Sequence, residues 1–399
     1  MKRLRAYKTE LNPNNVQRSR FRQHAGVARF VYNWALADRK HIYETTGKSG
    51  SMYEQKRRFN ALKAEQFPWI YESASRTTEE AFRNLDAAYR NFFRRVKKGE
   101  MPGFPKFKSR FRSPKKFTTR GCIHITGKAI KLPRIGWVRM KESGYLPTDE
   151  SDHVRILSVN ISERAGRWFA SVQTEEEVSE PNPAQGPPMG VDLGLKALAV
   201  CSDGARFENP KALATEERKL ARLNRELSRR KKGSKNRDKT KRKLQRCYAR
   251  IANIRKHAQH QASHYVTAKA NPSAVVIEDL NVAGMMKNHK LAKAIGDASM
   301  SELRRQIAYK AEWNGVQVMT ADRWYASTQL CSGCGQRVEK TLSARIHACP
   351  HCGLVLDRDY NAALNLASLV SENGEGPNRP GLPVELGEVQ TPTVKQEAG

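Results

Sequence analysis

MGVDLGLKALAVCSDGARF, residues 189–207, decides how the chain is to be read. Met189 and Val191 belong to a short apolar strand that ends on an acid, Asp192, followed by Gly194. ALAVC (197–201) is a second apolar run, and Ser202-Asp203-Gly204 is a turn, so the stretch predicts a β-hairpin. Taken alone, Asp192 is a turn aspartate. Two further segments change its meaning. AVVIEDL (274–280) suits a buried strand and brings Glu278 to its end, and DRDYNAALN (357–365) opens a helix with Asp357 and Asp359. Singly, Glu278 is a solvated strand-end charge, and Asp357 and Asp359 are helix-capping or dipole-favoured residues. Their joint order is strand-Asp, long gap, strand-Glu, then Asp at a helix start. That order predicts three acids at the edge of one mixed sheet. Such a cluster repels itself unless divalent cations neutralise it. Two Mg²⁺ ions about 4 Å apart can activate water and stabilise the leaving oxygen in phosphodiester cleavage.

The charge of the chain supplies a partner for that chemistry. Its 399 residues carry 72 Lys and Arg against 40 Asp and Glu, a formal net charge of +32. Charge on this scale points at a polyanion, while 39% hydrophobic residues suffice for folded domains, two or three at about 150 residues each. No stretch approaches the ~20 apolar residues of a membrane span, and MKRLRAYKTELNP lacks the apolar core of a signal peptide. A transporter, a receptor and a secreted enzyme are excluded as expectations. Between Glu216 and Ala258, 18 Lys and Arg face only 4 Asp and Glu, in a helical pair with a turn near Lys232-Gly233-Ser234. Leu220, Leu223, Leu227, Leu244, Tyr248 and Ile251 make its apolar stripes. Like charges at i,i+4 destabilise a helix with no polyanion beside it, so the pair is expected to contact a nucleic-acid backbone, with Arg229, Arg230, Lys231 and Lys232 as candidates.

The seven cysteines are uneven: Cys122, Cys201 and Cys247 are scattered, while Cys331-Ser-Gly-Cys334 and Cys349-Pro-His-Cys352 are two CxxC pairs. Each pair can place two thiolates about 2.3 Å from one Zn²⁺, and the connecting segment is the size of a ribbon hairpin. Gly333, Gly335 and Gly353 provide the tight knuckle turns. A closed Cys₄ site has no open position, so this zinc is structural.

The rest of the chain has a clear order. Residues 1–20 can open a strand; helical patterns follow over about 26–43 and 77–98; CIHI, AIKLP, WVRM, RILSVNISE and RWFASVQTE then read as short strands with a hairpin turn at Ala165-Gly166. Pro181, Pro183, Pro187 and Pro188 mark a linker, and residues 371–399, with nine Gly or Pro and five Glu, are expected to be disordered.

These motifs together resemble the TnpB family, the transposon-associated RNA-guided nucleases related to compact type V CRISPR effectors. The resemblance rests on ARFVYNWAL (28–36), NLDAAYRNFF (84–93), GFPKFKSR (103–110), KLPRIGWVRM (131–140), GVDLGLK (190–196), IEDLNVAGMMKN (277–288), the CxxC pairs and DRDYNAALNLA (357–367). It implies a multidomain α+β protein: a β-barrel wedge domain (1–20 and 111–182) split by a helical recognition domain (21–110), then an RNase H-like RuvC α/β nuclease domain (187–330 and 353–370) with a zinc ribbon inserted (331–352). It implies a catalytic triad of Asp192, Glu278 and Asp359 holding two Mg²⁺, with Asp357 the weaker candidate. It also implies a guide RNA, a double-stranded DNA target cut beside a short motif, and a place at the nucleoid in the prokaryotic cytoplasm. Tyr53, Arg76 and Thr77 are candidates for reading that motif by position. The same residues suit a compact type V CRISPR effector. A catalytically silent RNA-guided regulator would be expected to lack one of the acids, and a conventional transposase does not account for the ribbon before the last acid.

Overall fold

The computed structural model describes residues 1–148, 153–341, 344–370 and 387–388, and the chain divides into two compact units at residue 179. In the first unit, β1 (Lys2–Leu11) leads into α1 (Asn15–Thr46), α2 (Met52–Gln66) and α3 (Ser75–Lys97), and the chain then returns through β2 (Lys116–Thr119), β3 (His124–Ile125), β4 (Ala129–Leu132), β5 (Gly136–Arg139), β6 (Val154–Arg164) and β7 (Arg167–Glu177). The strands form a four-stranded antiparallel sheet in the order β1-β7-β6-β2 and a three-stranded sheet β3-β4-β5. Backbone bonds from Asn12 to Arg139 and from Lys141 to Glu10 join the two sheets. Ile130, Val138, Val159, Ile161 and Val172 fill the core between them, each almost wholly out of water.

α1 is longer than its apolar pattern, because it begins 11 residues before Gly26. A capping box fixes that start: the Asn14 side chain accepts from the Gln17 amide, and the Gln17 side chain accepts from the Asn14 amide. Its first turns carry Phe21 and Ala25 into the core of the sheets, while Val27, Val31 and Leu36 pack with Phe59, Phe82 and Leu85 in a separate helical core. α2 has no counterpart in the periodicity reading. Only Gln55 and Phe59 of its fifteen residues are buried, so its apolar face is too narrow to stand out.

The second unit contains β8 (Met189–Asp192), β9 (Ala197–Cys201), β10 (Arg206–Glu208), α4 (Ala212–Arg229), α5 (Lys235–His264), β11 (Ala274–Glu278), α6 (Val282–Met285), α7 (Ala292–Ala298), α8 (Met300–Asn314), β12 (Gln317–Ala321), β13 (Ile346–Ala348), β14 (Val355–Asp357), α9 (Arg358–Ala367) and β15 (Gly387–Glu388). Its mixed sheet runs β10-β9-β8-β11-β12-β15; β8, β11 and β12 are parallel, and β9, β10 and β15 join antiparallel to their neighbours. Nearly every residue of β8, β9 and β11 is buried, as expected of strands covered on both faces.

The segment expected to be disordered lies outside the described residues apart from Gly387–Glu388, which pair with Met319 and Thr320 on the edge of β12. Edge pairing of this kind uses main-chain groups and needs no apolar periodicity. α4 and α5 pack through Leu220, Leu223, Leu244 and Ile251, with Cys247 in the core where Tyr248 was expected; Tyr248 is 49% exposed. No helix among the described residues is long and apolar enough to cross a membrane.

Candidate active site and zinc ribbon

β8 and β11 end side by side. Val191 pairs with Ile277 in parallel register, so Asp192 and Glu278 occupy the next rung at the same sheet edge. α9 lies against β8 and delivers Asp359 from its first turn. Gly190 makes this approach possible: a Cβ there would stand 2.0 Å from the Ala363 carbonyl oxygen and 2.5 Å from the Ala367 nitrogen. Gly190→Ala therefore has to push α9 off the strand two residues before Asp192. It should cost about 1–3 kcal/mol or more of stability, read from denaturant midpoints, and should separate Asp359 from Asp192.

The electrostatics are those of crowded, desolvated carboxylates. Asp192 is 8% exposed; burial, then the charges of Glu278 and Asp359, push its carboxyl well above the usual carboxylate range. Burial also raises Glu278, opposed by the Ser327 hydroxyl that donates to its Oε1. Asp359 is 7% exposed and takes both Nε and Nη2 of Arg358 on one oxygen, at 3.1 and 3.0 Å. Asp357, the other acid of the motif, has a different job. Its Oδ1 accepts from the amides of Asp359 and Tyr360 at 2.9 and 3.2 Å, which makes it the N-cap of α9. The donor set, three hard oxygen ligands whose mutual repulsion calls for a cation, fits Mg²⁺ chemistry.

The four cysteine sulfurs lie within 4.8 Å of one another, the one such group of three or more metal-ligating side chains among the described residues; the three carboxylates stand wider apart. Cys331–Cys352 and Cys334–Cys349 sulfurs are each 3.6 Å apart, close to the ~3.8 Å edge of a tetrahedron with Zn–S bonds of 2.3 Å. The cluster therefore fits a structural zinc. β13 and β14 form the ribbon's hairpin, and β14 ends on Asp357, so the ribbon feeds directly into the cap of α9.

Three residues with no apparent role in the sequence connect ribbon and site. Asn361, fully buried, donates to the Leu330 carbonyl at 2.7 Å and accepts from the Ser332 amide at 3.0 Å. Asn365, one turn on, donates to the carbonyls of Ser327 and Leu330. Ser327 in turn holds Glu278. The stretch leading into the zinc knuckle is thus tied both to the helix of Asp359 and to Glu278. The i,i+4 spacing of the two asparagines in DYNAALN was the available signal, but it also suits a solvated helix face.

The remaining candidates divide between the two units. Arg229, Lys231 and Lys232 are exposed at the tip of the α4–α5 hairpin. Arg230 pairs with Glu226, at 3.1 and 2.5 Å, and this pair helps to fasten the turn. Tyr53 is 74% exposed at the start of α2, and Arg76 pairs with Glu79 at 2.6 Å. Thr77 is wholly buried and, contrary to expectation, is turned away from the surface; it lines a cavity of about 340 Å³ with Tyr32, Glu80, Lys108 and Lys116. Burial lowers the Lys108 ammonium there to about 8.

The chain is thus a mixed α+β protein with carboxylates at the ends of two parallel strands and a tetracysteine cluster just before its last helix. Three family models match parts of the chain: "Probable transposase" of the IS605 OrfB type over residues 171–289, "Cas12f1-like, TNB domain" over 301–366, and "Helix-turn-helix domain" over 1–48. In that last range the structure has β1 followed by the single helix α1. "Putative RNA-guided DNA endonuclease InsQ" of Escherichia coli K12 is 35% identical, with 92% of each chain covered. "Putative RNA-guided DNA endonuclease" of Streptomyces pristinaespiralis is 34% identical over 98% of this chain and 96% of its own. Among solved structures, the Cas12f1 chain of a Cas12f1-sgRNA-target DNA complex is 16% identical, covers 87% of this chain and 82% of its own, and superposes with a TM-score of 0.50. The chain belongs to the TnpB family of IS605 OrfB proteins.

Proposed function

We propose that this protein is an RNA-guided DNA endonuclease whose one hydrolytic centre is Asp192, Glu278 and Asp359. The observation that carries the reading is their convergence at one sheet edge in a chain of net charge +32 whose full-length relatives are named as RNA-guided DNA endonucleases. In this reading the second unit is an RNase H-like RuvC domain with a zinc-ribbon insertion, and the first is a wedge barrel split by a recognition insertion.

Asp192, Glu278 and Asp359 would hold two Mg²⁺ ions, which when bound supply an activated water and charge to stabilise the leaving oxygen. The chain's own residues do the rest. Ser327 orients Glu278, Asp357 fixes the first turn of α9, and Arg358 balances Asp359. The burial of Asp192 strengthens each electrostatic interaction at the reacting phosphate. Attack by water forms one P–O bond as the bond to the leaving oxygen breaks, and that oxygen takes up a proton. The test is cleavage of a labelled duplex by protein loaded with its co-purifying RNA: cutting that follows the guide's sequence and stops when Mg²⁺ alone is withheld supports the reading, and cutting independent of guide or of Mg²⁺ sinks it. Asp357→Ala should be milder than Asp359→Ala in this assay, since the first loses a cap worth about 1 kcal/mol and the second a ligand.

The exposed tip of the α4–α5 hairpin is read as a guide-RNA contact. Arg229→Ala, Lys231→Ala and Lys232→Ala together leave the Arg230–Glu226 turn intact. They should weaken RNA binding and flatten the salt dependence by about two, at roughly 0.7 for each phosphate no longer neutralised. An unchanged slope assigns that tip to solvent.

A further inference from the structure

Trp324 is 85% exposed, and it is the one of the six tryptophans that makes no ring or cation contact among the described residues. A single exposed aromatic is unremarkable by itself; its setting here is not. Its backbone is held: the Trp324 amide donates to Asp322 Oδ1 at 2.7 Å, Tyr325 closes a turn onto Asp322, and the Tyr325 hydroxyl donates to Asn365. The indole is therefore held out in water by a fixed turn. That turn is bracketed by the candidate active site. Ala321, three residues before, pairs with Glu278 across the sheet, and Ser327, three residues after, donates to the Glu278 carboxylate. At 3.8 Å per Cα step, Trp324 lies at most about 11 Å from either.

Arg323, its neighbour, is half exposed and pairs through Nη2 with Asp279 at 2.7 Å; Asp279 also takes Arg304 at 3.4 Å. Asp279 is shared between two guanidiniums, so it holds Arg323 in place while leaving that guanidinium, half exposed, able to take a phosphate oxygen. A flat aromatic face and a positioned guanidinium on consecutive residues match a nucleotide's base and phosphate, and base stacking on an aromatic works for any sequence.

We propose that Trp324 and Arg323 clamp the single DNA strand being cut, Trp324 stacking on a base next to the scissile position and Arg323 holding a phosphate; the assignment rests on reading the three acids as the nuclease centre. Asp279 is a positioning residue for Arg323.

The test uses the full chain loaded with guide RNA and target DNA carrying 2-aminopurine next to the cut site. Trp324→Ala should slow single-turnover cleavage about 5- to 150-fold, the worth of one stacked base, and Trp324→Phe should recover most of that loss. Guide affinity and the thermal midpoint should stay at the parent's values, because the side chain is out in water. In Asp192→Ala protein the 2-aminopurine should be quenched on binding, and adding Trp324→Ala should release the quench. If Trp324→Ala cuts and quenches like its parent while Asp192→Ala is inactive, the clamp is wrong and the centre stands. If Asp192→Ala cuts normally, the centre falls and takes the clamp with it.

Discussion

Asp192→Ala should reduce guide-directed cleavage by at least 10²–10³-fold, the usual scale for losing one group that stabilises transition-state charge, and should keep near wild-type affinity for guide and target. Asp192 sits 8% exposed at the end of β8, and guide binding is assigned to the exposed basic residues at the tip of the α4–α5 hairpin, so chemistry and recognition should separate. A second readout needs no activity. Burial and the charges of Glu278 and Asp359 raise the Asp192 carboxyl in the folded protein, whereas the unfolded chain has its ordinary value. Between those two values the folded state binds more protons than the unfolded one, so the stability of metal-free protein falls as pH rises through that window. Asp192→Asn removes the buried charge. Without added Mg²⁺ at neutral pH it should unfold at a higher temperature than the parent, and with Mg²⁺ it should fail to cut. A lower midpoint would mean that Asp192 is compensated in a way the burial and neighbouring charges do not account for.

Losing the zinc should do comparable damage from further away. Thiolate coordination contributes on the order of 10–16 kcal/mol of apparent binding free energy in small zinc modules, and a short ribbon has little core to replace it. Cys349→Ser opens the Cys334–Cys349 side of the cluster. The β13–β14 hairpin then loses its closure, and β14 is the strand that ends in the Asp357 cap. The bonds from Asn361 and Asn365 to Leu330, Ser332 and Ser327 lose their anchored partner, and with it the hold on Glu278. Displacement of the acids by about 1 Å is enough to cost 10²-fold in rate. Metal analysis should give one zinc per chain in the parent and less in Cys349→Ser, with cleavage falling in proportion. Fully active, reduced protein without zinc would overturn this coupling.

The four cysteines were legible from local spacing, since a metal knuckle needs its CxxC and glycines, whereas the acids could be read only from their joint order, with Asp192 and Glu278 closing apolar strands and Asp359 opening a helix. The lengths of the helices were less so. Asn14-x-x-Gln17 and Ser51-x-x-Glu54 are capping boxes visible in the sequence, yet periodicity alone passes over them, and α2 buries too little to show. Asn361 and Asn365 were illegible for a different reason. Their partners lie 29 to 38 residues away across the four-cysteine segment, and nothing local distinguishes a buried amide from a solvated one. Asp357 and Asp359 are separated by one residue, and only the fold gives the first the cap and the second the buried position. Thr77 shows the converse: a polar residue read as a surface contact is taken up by the protein interior.

The claim that one carboxylate centre performs both cuts is tested most directly by a strand-resolved time course. Guide-loaded parent, Asp192→Ala and Asp359→Ala are given a target duplex with a different label on each strand, in Mg²⁺. A single centre predicts that the parent cuts both strands and that each variant loses both to the same extent. Either variant still cutting one strand at the parent's rate would reveal a second nuclease centre and contradict the account.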